Sequence, residues 1–176
     1  MTYDITIYEP TKTSPDFRFT LGTSGEKTLF VIGLNPSTAD DTNPDPTITK
    51  VMGFATRHGC DSFVMFNLYA QRTKDPGKLH TIFNDQLHRE NLSHILTTLA
   101  KYETVSILAS WGGTITERNY LKNCLTDIYS QTKNRNVNWL KISNDLTQKG
   151  HPRHPSRGTY YELTKFDIEK YLLTLN

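Results

Sequence analysis

Residues 28–34, 62–68, 104–110 and 136–142 are four short apolar runs, partly β-branched and closed by turn residues, and each predicts a strand. Between and after them apolar side chains recur at i, i+3, i+4 and i+7: Ile48, Val51, Met52 and Ala55; Leu92, Ile95, Leu96 and Leu99; Leu121, Cys124, Leu125 and Ile128; Ile168, Tyr171, Leu172 and Leu175. That period puts one apolar stripe on each of four helices. Parallel neighbours need long crossovers, and helices alternating with strands supply them. The expectation is an α/β fold, a three-layer sandwich around a mostly parallel four-stranded central sheet. Residues 18–21 are a candidate antiparallel edge strand. Thr164, with Asp167 three residues on, is a variant capping box that starts the last helix.

A chain of 176 residues with 36% hydrophobic and 22% charged composition suits a single α/β domain over residues 1–176. A net charge of +2 is too weak to mark a nucleic-acid binder, so any such site must come from local clustering. No apolar run approaches the roughly 20 residues of a membrane helix, and MTYDITIYEP lacks a basic segment followed by an apolar one. A cytoplasmic monomer with no membrane association is expected. Cys60 and Cys124 have neither a CxxC partner nor zinc-like histidine spacing, which predicts reduced thiols and excludes a four-cysteine iron–sulfur cluster.

In open α/β sheets ligands bind beyond the carboxyl ends of the strands, and here those ends are polar. The first run enters Asn35-Pro36-Ser37-Thr38, the second closes on Asn67, the third ends at Ser110-Trp111-Gly112-Gly113, and the fourth leads into SNDLTQKGHPRHPSRG. An Asn after a strand often caps a turn through its own side chain. Two on neighbouring ends also suit a ligand edge that presents donor and acceptor together, as a nucleobase does. The loop 143–158 sets Lys149, Arg153 and Arg157 against Asp145 and adds His151 and His154, each followed by proline and so held extended. No third ligand accompanies the two histidines, so neither a metal nor another cofactor is expected. Gly112-Gly113 suits either a phosphate or a close steric approach. Neither GxxxxGK[ST] nor G-x-S-x-G occurs, which disfavours nucleotide hydrolysis on a phosphate loop and a nucleophilic serine.

GLNPSTAD (33–40), DPTI (45–48), FNLYAQRTKDP (66–76), Asn91, SWGG (110–113) and GHPRHP (150–155) closely resemble the domain of unknown function 1643 family, over most of the chain. That family carries no established activity. More distantly, Gly33-Leu34-Asn35-Pro36, Asn67 and His154-Pro155-Ser156 are similar to three strand-end motifs of the uracil-DNA glycosylase superfamily. The first is closest to the mismatch-specific branch, which has Asn where the uracil-specific branch has Asp. This resemblance implies a uracil-DNA-glycosylase-like fold, DNA as partner, and cleavage of a base from its sugar.

Such cleavage leaves negative charge on the departing base and positive charge on the sugar, so donors to the base and a placed water help. His154 suits the first task and Asn35 the second, although an amide cannot take the water's proton. Asn67 would read the base edge, with Trp111 beside it. Phe54, off the apolar stripe of its helix, either stacks on the base or belongs to the core. Ser37, Ser156, Arg153, Arg157, Lys149 and Arg72 are candidates for phosphates flanking an extruded nucleotide. The alternative from another class is a protein that binds a base, nucleotide or nucleic acid on the same fold without cleaving it.

Overall fold

A computed structural model describes residues 1–9, 14–156 and 159–175. In chain order the elements are β1 (Ile7–Glu9), β2 (Thr20–Gly22), β3 (Thr28–Gly33), α1 (Pro46–Arg57), β4 (Ser62–Asn67), α2 (Asp85–Leu99), β5 (Thr104–Ala109), α3 (Tyr120–Thr132), β6 (Asn136–Ile142), β7 (Leu163–Lys165) and α4 (Ile168–Leu173). Short 3-10 turns cover Pro76–Lys78 and Gly112–Thr116. Among the described residues the fold is mixed α/β, with four helices and one seven-stranded sheet ordered β1-β2-β4-β3-β5-β6-β7.

The four apolar runs are the middle strands, and each pairs parallel with its neighbours in that group. They read as near-continuous apolar runs because both faces of a covered parallel sheet are buried. Alternate side chains go to opposite faces. Phe30, Ile32, Val64, Phe66 and Ile107 pack with residues of α2, α3 and α4, while Leu29, Val31, Phe63, Met65 and Leu108 pack with Ile48, Val51, Phe54 and Ala55 of α1.

Three sequence expectations are corrected. The sheet has seven strands, not four, because β1, β2 and β7 add antiparallel pairing; each is three residues long, too short to show a period. The candidate edge strand at 18–21 is shifted to β2 and lies inside the sheet, between β1 and β4. Thr164 does not open the last helix. It pairs within β7 and its Oγ1 donates to the Ser143 carbonyl at 2.7 Å, while Asp167 caps α4 by accepting from the Lys170 amide at 2.9 Å.

The chain leaves β3 toward β4 and leaves β5 toward β6, in opposite directions across the sheet. The loops after β3 and β5 therefore part, which opens a crevice at the carboxyl ends of the central strands. The DPTI segment starts α1 beside it. Asp45 caps the helix by accepting the Ile48 amide at 2.9 Å, and Pro46 occupies the first turn, where its missing N–H costs nothing. No helix among the described residues is long and apolar enough to cross a membrane.

Candidate functional site

A cleft of about 170 Å³ opens at this crevice. Gly33, Leu34, Met65 and Ile48 supply apolar surface, while Asn35, Ser37, Asp45, Thr47, Lys74, Thr114, His154 and Arg18 supply polar groups. The volume is below the roughly 300–1,000 Å³ of pockets for drug-sized ligands, so it suits a small polar ligand or part of a larger one.

Asn35 is held by the backbone that follows β4. Its Nδ2 donates to the carbonyls of Thr73 at 2.8 Å, Pro36 at 2.9 Å and Gln71 at 3.4 Å. Three carbonyls around one nitrogen fix which way the amide points. Oδ1 is then the atom this side chain offers a ligand, as an acceptor.

His154 enters from the loop after β6. Its Nδ1 accepts the Ser156 amide at 3.3 Å and lies 2.8 Å from the Ser156 hydroxyl. A backbone N–H can only donate, so in the neutral ring the proton sits on Nε2, and Nε2–H is its donor. The loop packs closely on the end of β5. Gly112 has a φ of +67°, and a Cβ there would stand 3.4 Å from the His154 Cβ; a Cβ at Gly113 would stand 3.5 Å from His151 Cδ2. Both distances are ordinary van der Waals contacts, so it is the positive φ of Gly112 that calls for glycine here.

His151 anchors the same loop. Trp111 Nε1 donates to Tyr171 Oη at 3.1 Å, and that oxygen lies 2.9 Å from His151 Nδ1. An indole N–H only donates, so the tyrosine hydroxyl accepts from Trp111 and is hydrogen-bonded to the imidazole as well. Burial, with the charges of Lys149 and Lys122, depresses the His151 pKa below its ordinary value and so favours the neutral ring. Burial pushes Tyr171 up to about 12, so its hydroxyl stays protonated.

Asn35, Ser37 and His154 therefore share one cleft, and the other expected base-binding residues do not line it. Asn67 is fully buried. With its amide nitrogen toward the surrounding acceptors it donates to the Asn35 carbonyl at 3.2 Å and the Phe66 carbonyl at 3.3 Å. Its own carbonyl accepts from Asn91 Nδ2 at 2.9 Å, so both asparagines finish the end of β4. Trp111 is fully buried on the face covered by α3 and α4. Phe54 is in the α1 core, with its ring 5.0 Å from that of Tyr160, and lines a separate groove with Arg57 and His58.

The expected phosphate contacts also scatter. Arg72 donates to Tyr8 Oη at 3.2 Å and to the carbonyls of Ala39 at 3.1 Å and Thr38 at 3.3 Å, pinning the loop after β3. Lys149 and Ser156 are exposed, and Arg153 is half-buried, its Nε buried without a partner. Arg157 lies outside the described residues. Among those described, no group of three or more His, Cys, Asp or Glu could hold a metal ion.

Arg18, Asp45, Thr47, Lys74 and Thr114 line the cleft without having been expected there. Asp45 and Thr47 stand in the DPTI segment, whose position before a helix signalled a cap. Arg18 gave no signal, because nothing in a single arginine before a strand announces its burial.

Residues 18–156 match the family described as Protein of unknown function (DUF1643), and the chain belongs to that family. No curated protein and no solved structure matches it.

Proposed function

We propose that this member of the DUF1643 family acts on a nucleobase-bearing ligand in the strand-end cleft. Its activity is that of a DNA N-glycosylase-like protein, releasing a uracil-like, mismatched or modified base by hydrolysis of the N-glycosidic bond. The carrying observation is that Asn35 and His154, far apart in sequence, line one cleft at the carboxyl ends of the central strands. His154 Nε2–H donates to a base oxygen and strengthens as negative charge collects there. Asn35 Oδ1 accepts a hydrogen bond from the attacking water. The proton needs a base, and Asp45 is the carboxylate lining the same cleft. A parallel sheet centre with helices on both faces supports a uracil-DNA-glycosylase-like architecture within this proposal.

The test is incubation of purified protein with oligonucleotides carrying a panel of uracil-like, mismatched and modified bases, followed by alkaline cleavage at abasic sites. Scission confined to one class of base is the expected result. Intact strands throughout, under conditions where the protein remains folded, would remove the hydrolytic step.

Binding without cleavage is the second reading, favoured by the engagement of the Asn35 nitrogen with three backbone carbonyls, which gives that amide a structural task. Salt separates a strand from a small ligand. If Lys149 and Arg153 contact phosphates, the logarithm of affinity falls with the logarithm of salt by about 0.7–0.9 per contact. Two contacts give a slope of about −1.4 to −1.8. A flat response with retained nucleoside affinity would assign the cleft to a small ligand instead.

A further inference from the structure

The cleft contains a buried cation to which base cleavage assigns no task. Arg18 lines it and is 2% exposed. Its Nη1 donates to the Ala39 carbonyl at 2.7 Å, and its Nε is buried with no hydrogen-bond partner. No carboxylate pairs with it: the ion pairs among the described residues are His88 with Asp127 and Arg89 with Asp85. Instead a second guanidinium stands nearby, since Arg72 Nη2 donates to the same Ala39 carbonyl at 3.1 Å.

Burial first, and the Arg72 charge second, bring Arg18 down to about 10 against the opposing effects of Asp45, Tyr8 and Tyr3, which still leaves it charged at neutral pH. Lys74 adds another positive charge to the lining. Asp45 is the one carboxylate there, and it already accepts the Ile48 amide at 2.9 Å. The lining is therefore net cationic. Ser37 and Thr47 add hydroxyls to the lining. Asp45 acts on Arg18 through its charge but forms no ion pair with it; a buried charge with no paired counter-ion opposes folding, and an apolar side chain of similar size usually serves stability as well or better. A guanidinium fork matches paired phosphate oxygens.

We propose that Arg18 holds a phosphate of the ligand, either the 5′-phosphate of a nucleotide or a phosphodiester of a strand, and so selects phosphorylated ligands over bare nucleosides. The inference rests on the cleft's taking a base-bearing ligand but does not require that the base be cleaved.

Thermal unfolding and titration of the wild type, Arg18→Met and Arg18→Lys test it with four probes. Deoxyribose 5-phosphate carries phosphate without base, and deoxyuridine carries base without phosphate. Deoxyuridine 5′-monophosphate carries both, and a short single strand without terminal phosphates carries only diesters. The wild type should be stabilised by deoxyribose 5-phosphate or by the strand, and which of them acts identifies the source of the phosphate. Arg18→Met should weaken the effective phosphate probe by at least about 30-fold and leave deoxyuridine unchanged. Without ligand it should melt at or above the wild-type temperature, whereas an arginine serving only structure would make it melt lower. Arg18→Lys keeps the charge without the fork and should recover part of the affinity, which also covers a Met variant that fails to fold. Wild-type protein indifferent to all three phosphate-bearing probes, or variants that bind them equally well, would overturn the proposal. If deoxyuridine alone still binds, the base reading survives that failure. If the monophosphate binds no better than deoxyribose 5-phosphate, the base reading falls while Arg18 keeps its role.

Discussion

Replacing His154 by alanine is expected to slow base release by about 10²–10³-fold, the usual cost of removing a donor aimed at developing negative charge, with affinity for the uncleaved ligand changed far less. The ring's acceptor nitrogen is used within its own loop, by the Ser156 amide and hydroxyl, so the opposite nitrogen carries the proton. A hydrogen bond from that N–H to a base oxygen is weak in the ground state and strengthens only as the glycosidic bond breaks. Loss in the rate constant with little loss in binding is the signature of an interaction made mainly in the transition state. His151 provides the control. Its Nδ1 is hydrogen-bonded to Tyr171 Oη, a contact that positions the loop, so His151→Ala should cost less in rate. Single-turnover assays with both variants decide the matter: equal losses of rate and binding in the two would reduce His154 to a loop residue that positions nucleic acid.

What could be read in the sequence, and what could not, follows from length and burial. The four central strands were legible because burial on both faces writes an uninterrupted apolar run. β1, β2 and β7 were not, because three-residue strands carry no period and owe their pairing to a neighbour already in place. Asn35 and His154 were legible as partners because each follows a strand, and parallel strands bring their carboxyl ends to one side. Asn67 follows the same rule yet turns inward. It pairs with Gly33 across the sheet, and a Cβ at Gly33 would stand 2.5 Å from Met65 Cε and 2.9 Å from the Asn67 side-chain amide. The missing side chain makes room for the amide, and the amide then satisfies backbone carbonyls at the strand end. Asn67 is the last residue of β4, whereas Asn35 stands two residues beyond β3; one residue type near two neighbouring strand ends can thus face a ligand or seal the sheet. Arg18 was illegible for the converse reason: its burial depends on the loop from Thr38 to Ala39, distant in sequence.

Trp111→Ala is expected to destabilise the protein by about 3–5 kcal/mol, the range for truncating a large aromatic in a packed core. The indole is fully buried, and its ring lies 5.8 Å from Tyr171, 6.2 Å from Phe166 and 6.4 Å from Trp139. Its removal therefore leaves a cavity walled by other aromatics. The loss also frees the Tyr171 hydroxyl from one of its two partners and loosens the link from β5 through α4 to the histidine loop. Tyr171→Phe isolates that second effect. It keeps the ring, deletes the hydrogen bonds to Trp111 and His151, and leaves the buried indole N–H unpartnered, for about 1–3 kcal/mol. Urea unfolding of the two variants gives the comparison. A large stability loss for Trp111→Ala, with a smaller one for Tyr171→Phe, identifies the indole as core and the hydroxyl as the tether of the loop that carries His154. If Trp111→Ala instead kept wild-type stability and lost affinity for a base, the indole would have to face the ligand, and the burial that removes it from the cleft would not describe the working protein.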